Sequence, residues 1–210
     1  MLQIKDINHV VYRHPDLAVI ERFLTDFGLV VMHRTEQRLY LRGACSLPYV
    51  YIAEKAEHSS FGAIAFAVES LDDLHQATQL SGASAIHALE GPGGGQCVVL
   101  HDPSGRRIEL VHGIEPVGSL DLRAALTINS AQEKQRFGDV QRPGKGAAQV
   151  LRLGHAAIGV QDMVATGADG VFTFEGANDV FVPLVIAASE SELEVMTNVA
   201  IAFPRNAVHM

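Results

Sequence analysis

The sequence predicts an α+β fold, with paired βαβββ units forming an open half-barrel. Three observations carry that expectation. Short runs of strand-forming residues and two amphipathic helical runs follow one order, strand–helix–three strands, and the order then restarts. Sliding the first unit by 54 residues lays His9 on Ala63, Leu17 on Leu71 and Gly28 on Gly82 without a gap. Each such unit is a curved sheet with one helix on its convex face and the other face open. Two units side by side therefore enclose a concave cleft, where small ligands tend to sit.

The elements follow in order. Residues 4–12, "IKDINHVVY", alternate loosely and read as a strand. Asp16 caps a helix over "LAVIERFLTDF", in which Leu17, Ile20, Phe23, Leu24 and Phe27 recur at three- and four-residue spacing, and Gly28 ends it. Three strands follow, "VVMHRT", "RLYLRG" and "PYVYIAE". In the second unit "FGAIAFAV" is a strand, "SLDDLHQATQL" is a helix opened by Ser70 and closed by Gly82, and "SAIHALE", "QCVVLHD" and "RRIELVHG" complete the set. On that last strand Arg107, Glu109 and Val111 share one face, while Ile108, Leu110 and His112 share the other. The apolar Ile108 and Leu110 belong against the helix layer, so Glu109 is expected to point into the cleft.

Residues 114–150 break the pattern. They are polar and rich in turn formers, and read as a linker with one short helix around "SAQEKQRF". A third copy of the opening strand then begins. At an offset of 146, "INHVVYRHPD" lies on "LGHAAIGVQD", so that His9 lands on His155 and Asp16 on Asp162. Beyond Asp162 the expected amphipathic helix is replaced by "MVATGADGVF". "DVFVPLVIAA" reads as a strand, and "SESELEVMTNVAIAF" as a short helix or a strand–turn–strand. The organisation expected is a module over 1–113, a linker over 114–150 and an incomplete second module over 151–210.

Composition bounds the function. The chain carries a formal net charge of −8, against a nucleic-acid groove, which needs clustered Lys and Arg. Its start, "MLQIKDINHV", lacks the basic opening and long apolar run of a signal peptide, and no apolar stretch reaches the roughly 20 residues of a membrane span. A cytoplasmic protein without membrane or nucleic-acid partners is expected. Cys45 and Cys97 are far apart with no CxxC spacing and read as reduced thiols. No GxSxG, P-loop, HExxH or dinucleotide fingerprint is present, and "GPGGGQ" opens no helix. Ten histidines direct attention to metal or proton chemistry. Among them His14, His33, His58, His75 and His87 read as solvated or packed, whereas His101 and His112 flank the last turn, at one end of the cleft. Tyr40, Tyr49 and Tyr51 alternate on short strands and read chiefly as packing residues.

Two motifs carry a family resemblance. "DPSGRRIEL" is similar to the habitual last strand of the vicinal oxygen chelate superfamily, which includes glyoxalase I, the bleomycin- and fosfomycin-resistance proteins and the type I extradiol ring-cleaving dioxygenases. "RFGDVQRP" followed by "VLRLGH" resembles the junction between the two modules of bacterial extradiol dioxygenases. The resemblance covers residues 4–162. It implies a divalent metal, Fe(II) or Mn(II), held in the cleft by His and Glu side chains and chelating two adjacent oxygens of a small aromatic ligand; two imidazoles and one carboxylate suit such ions and leave coordination positions free.

The resemblance places the first ligand at His9 and the last-strand carboxylate at Glu109. The family's other histidine opens a pattern like "HIAF", which here reads "AIAF", with Ala63 in the ligand's place. The glyoxalase branch also uses a carboxylate in the fourth strand, where "PYVYIA" offers none. The alternative for His9 and Glu109 is a polar remnant, with His9 hydrogen-bonded to Glu109 or to backbone. In the dioxygenase branch the N-terminal module is commonly metal-free and the C-terminal one holds iron, which makes His155 the first iron ligand. After it come Glu192 and Glu194 in "SELEVMT", of which Glu194 echoes the "IELV" strand, and the single further histidine His209.

Three functions compete. One is an iron-dependent extradiol dioxygenase of aromatic degradation, resting on the junction motif and His155. Another is a catalytically silent small-molecule-binding module like the bleomycin-resistance proteins, with no metal, resting on Ala63. The last is a single-module metalloenzyme completed by a second chain, which Ala63 opposes because symmetry repeats the gap. The module's unfinished sheet edge favours a homo-oligomer in each case.

Overall fold

The computed structural model describes residues 2–102, 104–123, 148–159, 186–187 and 198–202. The expected helix around "SAQEKQRF" lies outside them, as do Asp162, Glu192, Glu194 and His209. Among the described residues no helix is long and apolar enough to cross a membrane.

The first unit comprises β1 (Ile4–His14), α1 (Leu17–Phe27), β2 (Val30–Arg34), β3 (Arg38–Arg42) and β4 (Tyr51–Lys55). The second comprises β5 (Ser60–Val68), α2 (Leu71–Ala77), β6 (His87–Ala88), β7 (Gln96–His101) and β8 (Arg107–His112). These eight strands make one mixed sheet in the order β2-β3-β4-β1-β5-β8-β7-β6, open at both ends. Within each unit the first strand runs parallel to the last, β1 to β4 and β5 to β8. The two units meet where β1 pairs antiparallel with β5.

That seam carries the mark of the duplication. Val10 faces Ile64, with His9 opposite Ala65 and Val11 opposite Ala63. A shift of 54 residues converts Val10 into Ile64 and exchanges the two flanking pairs. A pseudo-twofold axis therefore passes through the Val10–Ile64 pair, as the ungapped repeat requires.

The helices are set by their ends. Asp16 accepts from the backbone N–H of Ala18 and Val19, the capping the sequence predicts. Gly28 closes α1 at φ 119°, with its N–H bonded to the carbonyls of Leu24 and Thr25. Its missing side chain matters twice, because a Cβ there would stand 1.9 Å from the carbonyl oxygen of Ala148. The second helix departs from expectation. It stops at Ala77 with Thr78 as a right-handed cap, and the i→i+3 bonds Gln79 N–H to Gln76 O and Leu80 N–H to Ala77 O end it before Gly82. At its start Ser70 and Asp73 form a reciprocal capping box, and Asp73 also accepts from the backbone N–H of Gln3, tying α2 to the chain start. The expected strand over 84–90 is reduced to His87–Ala88: before it the Ser84 N–H donates to the Val99 carbonyl and the Ser84 Oγ accepts from the Val99 N–H, and after it comes the glycine-rich loop.

The core has two sides. On the convex side, under α1 and α2, Ile64, Phe66 and Val68 of the central strand pack with Leu17, Leu24, Leu74, Ala77 and Leu110. On the concave side lie Val11, Tyr40, Tyr49, Ile52 and Ala63, and next to them Ala65, Cys97 and Val111. Residues 114–123 run as a strap over the first unit: Val117 and Leu120 donate to Ser46 and Ala44, and the buried Arg42 donates to the Gly118 carbonyl at 2.8 Å. The chain returns at Ala148. Val150, Leu153 and Ala156 are buried in the convex core, Val150 and Leu151 accept from Ala44 and Cys45, and Arg152 bridges Asp6 at 2.6 Å. A second, three-stranded sheet joins β9 (Arg152–Gly159), β10 (Ile186–Ala187) and β11 (Asn198–Ala202) in the order β10-β9-β11.

Two predictions follow from these ends. Gly28→Ala forces a left-handed backbone on alanine and drives a methyl into residue 148; chemical denaturation should register a loss of at least about 2 kcal/mol. Burial alone pushes the Asp73 pKa up, but hydrogen bonds from the Ser70 side chain and from the Gln3 and Ser70 backbones outweigh it and hold the carboxyl below its ordinary value. A depressed carboxylate contributes stability that is complete above its unfolded pKa, roughly 4, and is lost as pH falls through the folded value. Asp73→Asn should therefore cost about 1–2 kcal/mol at neutral pH and flatten the stability–pH curve below about 4, read from urea midpoints between those pH values.

Candidate functional site

Strand parity decides which side chains meet. A register shift between Ile7 and His9 lets Ile7 and Val10 both face the convex core while His9 and Val11 turn inward. On β8, Ile108 and Leu110 lie against the helix layer and Val111 faces the concave cluster, so Glu109 points into the hollow as expected. Ala65 is the register partner of His9 on one side and of Glu109 on the other. Its methyl is small enough for the imidazole and the carboxylate to meet above it.

They do meet. His9 Nε2 lies 3.3 Å from Glu109 Oε2, with side-chain exposures of 1% and 5%. The contact is within range of charge attraction but off the line of a hydrogen bond, and His9 Nε2 has no hydrogen-bond partner. The ring is held from behind by His9 Nδ1, 2.8 Å from the acceptor Asn8 Oδ1, and from the side by an edge contact with Tyr49 at 4.9 Å. Tyr49 in turn packs edge-on against Tyr40 at 5.3 Å.

The other carboxylate oxygen is already taken. Arg107 Nη2 sits 2.6 Å from Glu109 Oε1. Burial pushes the Glu109 pKa up, but His9, Arg107 and His87 outweigh it, so the carboxyl is held below its usual value. The same burial pushes the Cys97 thiol up to about 12 and raises the Tyr49 hydroxyl, which leaves both protonated and unreactive at neutral pH. Cys45 and Cys97 are free thiols.

The duplication locates the remaining converging positions. His9 corresponds to Ala63 in the second unit, where the sequence places the gap. Val11 pairs with Ile52 as Ala65 pairs with Glu109, so Ile52 holds the place of Glu109 in the first unit. No carboxylate stands there, as expected, and Tyr51 packs: it turns to the other face, stacks on Tyr12 at 5.6 Å and bonds His14 Nε2 at 2.8 Å. Two of the four inward positions are thus apolar. Among the described residues no three His, Cys, Asp or Glu side chains converge. A divalent ion needs at least three protein donors in a tight site, so His9 and Glu109 do not fit one.

His155 lies on β9, whose neighbours are parallel β10 and antiparallel β11, as the neighbours of β1 are parallel β4 and antiparallel β5. Its register partner is Ala200. Glu194, expected as its carboxylate partner, is outside the described residues. His101 is exposed, and His112 Nδ1 lies 3.4 Å from the Val68 carbonyl. His33, His58, His75 and His87 are exposed, as expected of solvated residues. The residue that the sequence reading passed over is Arg107. Its signal was available, since "RRIEL" places it two positions from Glu109 on the same strand face.

No family model matches the chain, and no curated protein matches it. Solved structures do. The Mn(II)-bound glyoxalase from Novosphingobium aromaticivorans superposes with a TM-score of 0.60 at 18% identity, over 77% of this chain and 49% of that one. The anaerobic complex of homoprotocatechuate 2,3-dioxygenase from Brevibacterium fuscum with 3,4-dihydroxyphenylacetate gives 0.60 at 20% identity, over 80% and 49%. An extradiol ring-cleaving dioxygenase from B. fuscum, determined at room temperature, gives 0.57 at 20%, over 80% and 44%. The chain spans about half the length of these structures or less. Its fold is that of the vicinal oxygen chelate glyoxalases and extradiol dioxygenases.

Proposed function

We propose that the chain is part of a two-module protein of the extradiol dioxygenase type, in which the module over residues 1–113 holds no metal and the metal ligands begin at His155. The observation that carries this reading is the state of Glu109. In the first module the carboxylate is buried against Arg107 and His9, with Ile52 and Ala63 at the other inward positions. In the second sheet His155 stands on the strand that occupies the same place between its neighbours as β1. Fe(II) or Mn(II) is the ion such chemistry uses, and a small aromatic with adjacent oxygens is the substrate class; Glu194 is the proposed carboxylate partner of His155. The open sheet edges at β2 and β6 favour association of two copies, and a cytoplasmic setting accords with two free thiols.

The small, apolar wall of the first hollow favours a second reading, a protein that shelters an aromatic ligand without chemistry. One experiment separates the two. The protein is reconstituted anaerobically with Fe(II) or Mn(II), desalted, and assayed for bound metal and for yellow ring-fission product from a catechol. We expect metal and turnover in the wild type and in His9→Ala, and the loss of both in His155→Ala. Absence of metal and turnover, together with ligand-induced thermal stabilisation that EDTA leaves unchanged, establishes the second reading instead. Metal that His9→Ala removes and His155→Ala does not would overturn both.

A further inference from the structure

We propose that Arg107 occupies the electrostatic role of a divalent ion at His9 and Glu109 and thereby closes this site to metals. The inference deepens the reading of the first module as metal-free. It also predicts that the site is reopened by changing two side chains.

The geometry points to Arg107 for three reasons. Its Nη2 is 2.6 Å from Glu109 Oε1, on the side of the carboxylate away from His9. It is seated beside the gap in the ligand pattern, since Ala63 is the register partner of Arg107 on β8 and of Val11 on β1. A histidine at 63 would point into the same space. Finally, Arg107 Nε and His9 Nε2 are both buried without a hydrogen-bond partner. Groups so placed around one carboxylate have been arranged for its charge, not for a complete hydrogen-bond network. A fixed guanidinium balances the carboxylate and repels a second cation. It also has no lone pair to offer as a ligand.

The test uses the full chain and Mn(II) as probe, with bound ion read by electron paramagnetic resonance. Glu109→Gln, compared in each background, isolates this site from any ion that His155 holds. In the wild type, Glu109→Gln should leave Mn(II) binding unchanged. In the Ala63→His/Arg107→Met double variant, which offers two imidazoles and one carboxylate, we expect one additional Mn(II), bound at least about tenfold tighter than anything the wild type holds at this site. Adding Glu109→Gln should remove it. Wild-type binding that Glu109→Gln abolishes overturns the proposal. So does a double variant that melts like the wild type yet gains no ion. Where the double variant fails to fold, Ala63→His/Arg107→Gln, which keeps a polar side chain at 107, takes its place in the same comparison. Loss of Mn(II) in His155→Ala alone bears on the second module and leaves this inference standing.

Discussion

The antiparallel pairing of β1 with β5, centred on Val10 and Ile64, is the constraint from which the rest of the molecule follows. It joins two units that are each internally parallel at their inner edge, and it fixes which side chains of both central strands face the hollow. Because side chains alternate along a strand, a slip of one residue at this seam would bury His9 under the helices and turn Ile64 toward the concave side. The register is held by the convex core on one side and by the tyrosine-lined cluster on the other, so the polar residues have no freedom to choose their face.

Within that frame the alanines of β5 decide the chemistry. Ala65 leaves room for His9 and Glu109 to approach across the central strand, and Ala63 stands in register beside Arg107 without a donor atom. The result is a buried acid with two cationic or cation-forming neighbours and walls of Tyr49, Ile52 and Val111. A carboxylate in such a place is costly unless matched, and here the match comes from the chain itself. The concave face of the first module therefore presents an internally neutralised site.

Much of this was legible in the residues. Asp16, Gly28 and Ser70 marked helix ends because capping is a local matter, and the ungapped repeat announced the pseudo-twofold because duplication preserves spacing. The face of Glu109 followed from Ile108 and Leu110 needing the helix layer. What escaped had long-range causes. Tyr51 packs as its pattern suggested, but that Ile52 is the residue of β4 facing the hollow depends on the parallel register of β4 with β1. Gly82 looked like a helix end, but α2 had already tightened at Gln79 and Leu80. The hold of Arg107 on Glu109 needed a three-dimensional reason to prefer the neighbouring acid over solvent, and the burial of that carboxylate against His9 supplies it.

The return of the chain at Ala148 has a wider meaning. Val150, Leu153 and Ala156 complete the layer beneath α1, and the bare backbone of Gly28 and Gly43 admits the incoming segment at close range. The opening of β9 is thus also masonry for the first sheet. Excising the leading half at 113 would take Val150, Leu153 and Ala156 out of the apolar cluster that also holds Ile7, Leu24 and Leu29, and strip a course of bricks from it.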